Sequence, residues 1–309
     1  MRSSATSSPS GSWGCRSDGP SFAHTELGST AAGAIRDITQ RAATGRTVTV
    51  LMGADLAPTW QTLVSGGWTD IAVLEDGDGA TRLELAETAQ AWGESALPRP
   101  YMTTLLARRH SRAAREHDGP VSLAVPRVGQ ACGGRALFGD IRGVCLAVEL
   151  GDDSNAPLVA VPTVPDYLAP SLRLGNVDRT TGYTAAAAAD CRLAWAAEAI
   201  GAATRCLQEA VAYAKMREQF GRPIGSFQAV KHHLANAHIA LEQAETAVLW
   251  TAVEPDAPGA LDHAFTSCRS VAELCVQVFG GVGFTWELGL HFYLRHVLAL
   301  AEAHAGLDG

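Results

Sequence analysis

Over the last 125 residues, apolar positions recur at intervals of three and four with almost no interruption. Leu193, Ile200, Thr204, Leu207, Val211 and Ala214 follow one another at spacings of 7, 4, 3, 4 and 3. Phe227, Val230, Leu234, Ala237, Leu241, Ala244 and Val248 continue the pattern after a glycine-containing break. Leu261, Phe265, Cys268, Ala272, Cys275 and Phe279 form a third run, and Leu290, Tyr293, Val297 and Leu300 a fourth. This period gives each helix one apolar face, and four such helices with short connections bury those faces together as an antiparallel four-helix bundle.

Upstream, the texture changes twice. Residues 1–29 are rich in Ser and Gly and lack the apolar core of a signal peptide, so a disordered tail is expected there. Residues 30–119 read as an N-terminal helical domain. Pro58 suits the first turn of a short helix that stops at Gly66-Gly67, and Thr81 with Glu84 forms a capping-box signature. Arg108, Arg109, Arg112 and Arg115 make a basic stripe, expected to be a solvated helix face or, alternatively, a contact for an anionic ligand or partner. Residues 120–176 hold short β-prone runs, Val121–Val125, Gly143–Leu150 and Leu158–Val161, separated by turn residues. They predict a reduced β domain, a small sheet or partial barrel, ahead of the bundle at 177–309. The fold class is therefore mainly α with a small β domain.

Composition excludes several functions. The 24 Lys+Arg against 32 Asp+Glu give a net charge of −8, the wrong sign for a nucleic-acid binder. No apolar run approaches the roughly 18 residues of a membrane span. The seven cysteines contain no CxxC pair, and several fall at apolar helical positions, as reduced thiols of a cytoplasmic protein would. His232, His233 and His238, or His291 and His296, miss the i, i+4 spacing of two metal ligands on one helix face, so no metal site is expected.

Chemistry points to the two breaks in the bundle. The first runs from Met216 through Arg217, Glu218, Gln219, Phe220, Gly221, Arg222, Pro223, Ile224, Gly225, Ser226 and Phe227 to Gln228. The second runs from Gln277, Val278, Phe279, Gly280 and Gly281 to Trp286. Glycines between helices let backbone approach a ligand closely, and a following helix start offers free N–H groups to an anion. Arg217 adds a planar, permanently charged fork suited to phosphate.

Together these segments resemble the acyl-CoA dehydrogenase family. Tyr213 to Lys231 is similar to its helix–turn–helix signature, and Gln277 to Glu287, followed by Tyr293-Leu294-Arg295, to its other C-terminal signature. The likeness is clear over residues 185–301 and looser over Trp60–Leu106. It implies that the bundle of one subunit completes the FAD site of its neighbour. By position, Arg217 would meet the FAD pyrophosphate with Gln219 and Phe220 beside it. Phe227 and Gln228 would lie along the dinucleotide, and Gln277, Val278, Phe279, Gly280 and Gly281 would form the close backbone approach.

The departures are equally informative. The family removes the substrate α-proton with a carboxylate from one of two positions, occupied here by Cys191 and His304. Asp190 and Glu302 lie nearby but point elsewhere on a helix turning about 100° per residue. The middle domain also lacks the family's isoalloxazine-holding loop and its tryptophan. The resemblance therefore implies a shortened subunit of an actinobacterial α2β2 acyl-CoA dehydrogenase, inactive alone. A longer partner subunit would supply the base and flavin-ring contacts. The substrate would be an acyl-CoA, such as a steroid side-chain thioester, with an electron-transfer flavoprotein or other acceptor. A self-sufficient enzyme with an unusual base and a flavin-free scaffold are the competing expectations.

Overall fold

A computed structural model describes residues 25–73, 79–129, 133–151, 154–160, 164–255, 257 and 259–307. Six helices come first: α1 (Glu26–Ala43), α2 (Val48–Met52), α3 (Ala57–Ser65), α4 (Arg82–Gly93), α5 (Tyr101–His110) and α6 (Arg112–Arg115). Eight short strands follow: β1 (Val121–Pro126), β2 (Gly134–Leu137), β3 (Cys145–Ala147), β4 (Glu149–Leu150), β5 (Leu158–Ala160), β6 (Val164–Pro165), β7 (Gly175–Val177) and β8 (Gly182–Tyr183). The bundle comprises α7 (Ala185–Met216), α8 (Gln228–Val253), α9 (Ala260–Phe279) and α10 (His291–Gly306). A tiny hairpin, β9 (Glu218–Gln219) and β10 (Arg222–Pro223), joins α7 to α8. The architecture is mainly α with a small β sheet and a C-terminal four-helix bundle. No helix among the described residues is long and apolar enough to cross a membrane.

The expected tail over 1–29 lies outside the described residues as far as position 24. From Glu26 the chain is already helical, because the Thr25 hydroxyl accepts from the Gly28 amide and caps α1. The capping box at α4 forms as predicted. Thr81 Oγ1 accepts from the Glu84 amide at 3.3 Å, and the Glu84 carboxylate takes the Thr81 amide at 2.7 Å. Burial pushes the Glu84 carboxyl up, but hydrogen bonds from Thr25 and Thr81 outweigh it and hold the group below its ordinary value.

The sheet runs in the order β5-β3-β1-β2-β7-β6, with β1 parallel to β3 and antiparallel to β2. β1 alternates its faces. Leu123 and Val125 join the main core, while Ala124 packs with Ala136, Leu146 and Val177 on the other side. β2 begins at Gly134, inside a stretch that reads as a turn from sequence. A side chain there would meet the Val125 carbonyl at 2.5 Å, so glycine marks close strand approach rather than a bend.

The N-terminal helices and the bundle share one core because α4 lies against α7 at backbone distance. A Cβ on Gly93 would come within 2.0 Å of the Glu198 carbonyl, and one on Gly201 within 2.0 Å of the Gln90 carbonyl. The two glycines form a reciprocal notch, and neither helix can tilt to relieve a methyl at one without crowding the other. Gly201→Ala is therefore expected to cost about 3 kcal/mol through overpacking. Gly33→Ala, in open space on α1, should instead gain up to about 1 kcal/mol in helix propensity. Urea unfolding of both variants checks this; equal midpoints would refute the notch.

The basic stripe is a correction. α5 is buried on every side, and Arg108 and Arg109 are buried with it. Arg108 Nη1 donates to Asp70 at 2.8 Å and to Thr69 Oγ1, and Nη2 donates to the His117 carbonyl. Arg109 donates to Asp190 and to the carbonyls of Ala72 and Ala80. These guanidiniums are tolerated inside because most of their donors meet protein oxygens, Arg108 through both of its Nη atoms and Arg109 through Nε and Nη1. Arg112, paired with Glu116, keeps the expected solvated position.

Candidate functional site

The two breaks meet at one end of the bundle. Tyr213, one turn before Arg217, stacks on Phe279, the residue before Gly280, with ring centroids 4.2 Å apart and planes at 19°. This pair ties the end of α7 to the end of α9. Arg217 caps α7, its amide donating to the Tyr213 carbonyl at 2.8 Å and its carbonyl accepting from the Ile224 amide at 2.7 Å. Its backbone is thus pinned on both sides while its guanidinium is exposed, with no carboxylate partner among the described residues.

The hairpin after Arg217 turns through two residues, Phe220 and Gly221, at φ +54° and +75°. Two consecutive positive φ values make the tight turn that suits a two-residue hairpin, and its first position normally favours Asn, Asp or Gly. A phenylalanine there is strained by roughly 1–3 kcal/mol. Its ring points outward at 91% exposure. Phe227 lies edge-on to Phe220 with centroids 6.1 Å apart, and Arg222 sits over the Phe227 ring at 4.1 Å. Gln219 is exposed, its amide nitrogen 2.8 Å from the Glu218 carbonyl, and Gln228 opens α8 in the open.

In the second break, Gln277, Gly280 and Gly281 are exposed and Val278 is half-buried. Gly280 adopts φ +65°, ψ −144°, a conformation essentially reserved to glycine. A Cβ on Gly280 or Gly281 would meet nothing within 4 Å, so their backbone faces open space. Phe279 is only 7% exposed and turns inward onto Tyr213; it supports this backbone from beneath. Exposed Phe284 and Trp286 follow, with the Trp286 carbonyl accepting from the Thr49 hydroxyl at 2.5 Å.

The groups at and beside the two base positions are all engaged. Cys191 is fully buried, and burial together with the Asp190 charge pushes its thiol well above the ordinary value. Asp190 Oδ2 accepts from Arg109 Nε at 2.7 Å and lies 3.1 Å from His110 Nε2, while Oδ1 is 3.1 Å from Arg82 Nε. Burial raises the Asp190 carboxyl, yet its bonds to His110 and Arg109 prevail and keep it below its usual range. His304 Nε2 lies 3.1 Å from Asp262 Oδ1, its ring packed near Phe265. Glu302 is ion-paired with Arg135.

Sequence reasoning missed one constellation. Ser171 Oγ is 2.9 Å from His296 Nδ1, and His296 Nε2 is 3.1 Å from Glu198 Oε1. An ionised carboxylate only accepts, so Nε2–H points at Glu198, and Nδ1 shares a hydrogen bond with the Ser171 hydroxyl. The order resembles a hydrolase triad, but all three residues are buried, Ser171 completely. With no route for a substrate, the chain of bonds locks α10 and the Pro170–Leu172 turn onto α7. No local motif announces it, since its members lie 27 and 98 residues apart along the chain (198 − 171 and 296 − 198).

N-terminal helices, a small sheet and a four-helix bundle with two glycine breaks brought to one end make an acyl-CoA-dehydrogenase-like fold. Residues 181–304 match the acyl-CoA dehydrogenase C-terminal domain, so this part of the chain belongs to the acyl-CoA dehydrogenase family, whose members use FAD. Acyl-CoA dehydrogenase IpdE2 of Mycobacterium tuberculosis is 29% identical over 265 residues, covering 79% of this chain and 81% of the relative. Acyl-CoA dehydrogenase FadE34 of the same organism is 33% identical over 77% of this chain, and the aligned region spans 39% of that protein's length. Among solved structures, the ChsE4–ChsE5 complex from M. tuberculosis contains a chain of like fold, with TM-score 0.68, 21% identity, and coverage of 94% of this chain and 97% of that one. The Tcur3481–Tcur3483 steroid ACAD is similar at TM-score 0.68 and 23% identity, covering 92% and 96%.

Proposed function

We infer that this chain is the half-site subunit of a heteromeric FAD-dependent acyl-CoA dehydrogenase. In this reading the bundle end completes the flavin site of a longer partner subunit, which supplies the base and the flavin-ring contacts. The carrying observation is the asymmetry of the site. Arg217 stands exposed and uncompensated beside the outward Phe220 ring and the open Gly280–Gly281 backbone. The groups at the base positions are buried, paired or both.

The exposed residues suit an FAD pyrophosphate and adenosine. Arg217 offers two parallel N–H donors to phosphate oxygens, and Gly280 and Gly281 let phosphate approach the backbone. Gln219, Gln228 and Gln277 supply neutral donors and acceptors, and Phe220 and Phe227 an aromatic surface. When bound, FAD provides the hydride acceptor for α,β-dehydrogenation. The chain's own part is to bind and orient it, because a fully buried thiol at Cys191 and a clamped Asp190 cannot reach an α-proton. The relatives' names support an acyl-CoA substrate, and the steroid ACAD neighbour favours a bulky polycyclic acyl group. The ChsE4–ChsE5 neighbour supports an assembly of two chain types. Reoxidation then falls to an electron-transfer flavoprotein or another acceptor.

The test is purification of this chain alone and with its partner. The lone chain is expected to be colourless and without turnover, and the complex to carry stoichiometric FAD. A stoichiometric flavin spectrum with turnover from the lone chain would overturn the reading. If that turnover vanished in His304→Ala, the His304–Asp262 pair would be the base instead.

A further inference from the structure

A cavity of about 410 Å3 lies where the end of α1 and α2 face the ends of α7 and α9 and the start of α10. Of the residues expected at the flavin half-site, Phe279 alone lines it, through a ring turned inward onto Tyr213, while Arg217, Gln228, Gly280 and Gly281 lie outside it. Its volume falls within the roughly 300–1,000 Å3 of small-molecule sites. Much of its inner surface is apolar. Leu51, Phe279 and Tyr293 are buried there, and the Tyr213 ring covers Phe279.

Charge in the lining nearly cancels. Arg36 Nε meets Glu94 Oε1 at 2.9 Å, and Arg205 Nη2 meets Glu209 Oε1 at 2.5 Å. Arg46, at the exposed rim, has no carboxylate partner among the described residues; its side chain makes a 3.4 Å bond to the Ala42 carbonyl. One uncompensated, permanently charged fork therefore stands at the mouth of an apolar cavity. Tyr293, whose phenol burial pushes up to about 12, stays a neutral wall.

We propose that this cavity binds an amphipathic monocarboxylate. The apolar body lies against Leu51, Tyr213, Phe279 and Tyr293, and the carboxylate pairs with Arg46. An alcohol would leave Arg46 without its bidentate partner, and a cationic head would be repelled by it.

Calorimetric titration of the full chain, assembled with its partner where the two co-purify, tests this with decanoate, decanol and decyltrimethylammonium. Decanoate is expected to bind once per chain, about tenfold or more tighter than decanol, the difference made by one charge-assisted contact. Decyltrimethylammonium should not bind. Arg46→Gln should bring decanoate to the decanol level, and Ala212→Trp, at an exposed lining position, should abolish both. Unchanged thermal midpoints confirm that both variants fold; if Ala212→Trp does not, Arg46→Gln still decides. Absence of decanoate binding, equal binding of the cationic amphiphile, or decanoate binding indifferent to Arg46→Gln would each overturn the proposal.

Discussion

Arg217→Ala in the assembled complex should weaken FAD binding about a hundredfold. Two charge-assisted hydrogen bonds to phosphate are each worth about 1.5–3 kcal/mol. Losing about 3 kcal/mol corresponds to roughly two decades in Kd. Arg217→Lys keeps the charge and loses the fork, so it should fall between wild type and alanine. Neither change touches the fold. The backbone of Arg217 is held by the Tyr213 carbonyl and the Ile224 amide, and its side chain is exposed. The thermal midpoint should therefore stay put while the flavin content after gel filtration drops. Unchanged cofactor content in Arg217→Ala would remove the half-site reading and favour a flavin-free scaffold.

Asp190→Ala should have the largest effect on stability, about 3–5 kcal/mol, because it removes the carboxylate that Arg82, Arg109 and His110 share in a buried cluster. Arg109 would keep its bonds to Ala72 and Ala80, but it, Arg82 and His110 would lose their shared counter-charge. The pH dependence follows from the lowered Asp190 carboxyl. A group whose folded value lies below its unfolded one, about 3.9 for aspartate, stabilises fully above that value and loses the contribution as pH falls through the folded one. Wild-type stability should thus drop below about pH 4 by a component that Asp190→Asn lacks. Chemical denaturation at stepped pH measures it. If Asp190 were instead a catalytic base, the variant would keep its stability and lose only turnover.

Both predictions turn on the difference between what a helix records locally and what its surroundings do to it. The bundle was legible because period and capping are short-range properties. The runs ending at Ala214, Val248, Phe279 and Leu300 fall in four observed helices, and the Thr81–Glu84 box opens α4. The two glycine breaks were legible for the same reason, as contiguous residues with unusual backbone demands. The strand β2 and the pairing of β4 with β8 were not, since two- to four-residue strands carry too few alternations to stand out. Arg108 and Arg109 looked like a solvated stripe, because charge in sequence gives no sign of the oxygens waiting for it. Asp70, Asp190 and the carbonyls of Ala72 and Ala80 are brought to them only by the packing of α5.

Sequence by itself determined the four amphipathic helices, the position of the arginine and glycine breaks, and the absence of a carboxylate at Cys191 and His304. Tertiary structure alone decided that Tyr213 stacks on Phe279 and so puts both breaks at one end. It also decided that Phe279 faces inward, that Asp190 is clamped, and that a cavity opens beside Arg46. The reason is physical. Helical period and turn chemistry are set by neighbours a few residues away, whereas burial, ion pairing and cavities depend on residues up to about a hundred or more positions apart, whose approach is fixed only by how whole helices pack.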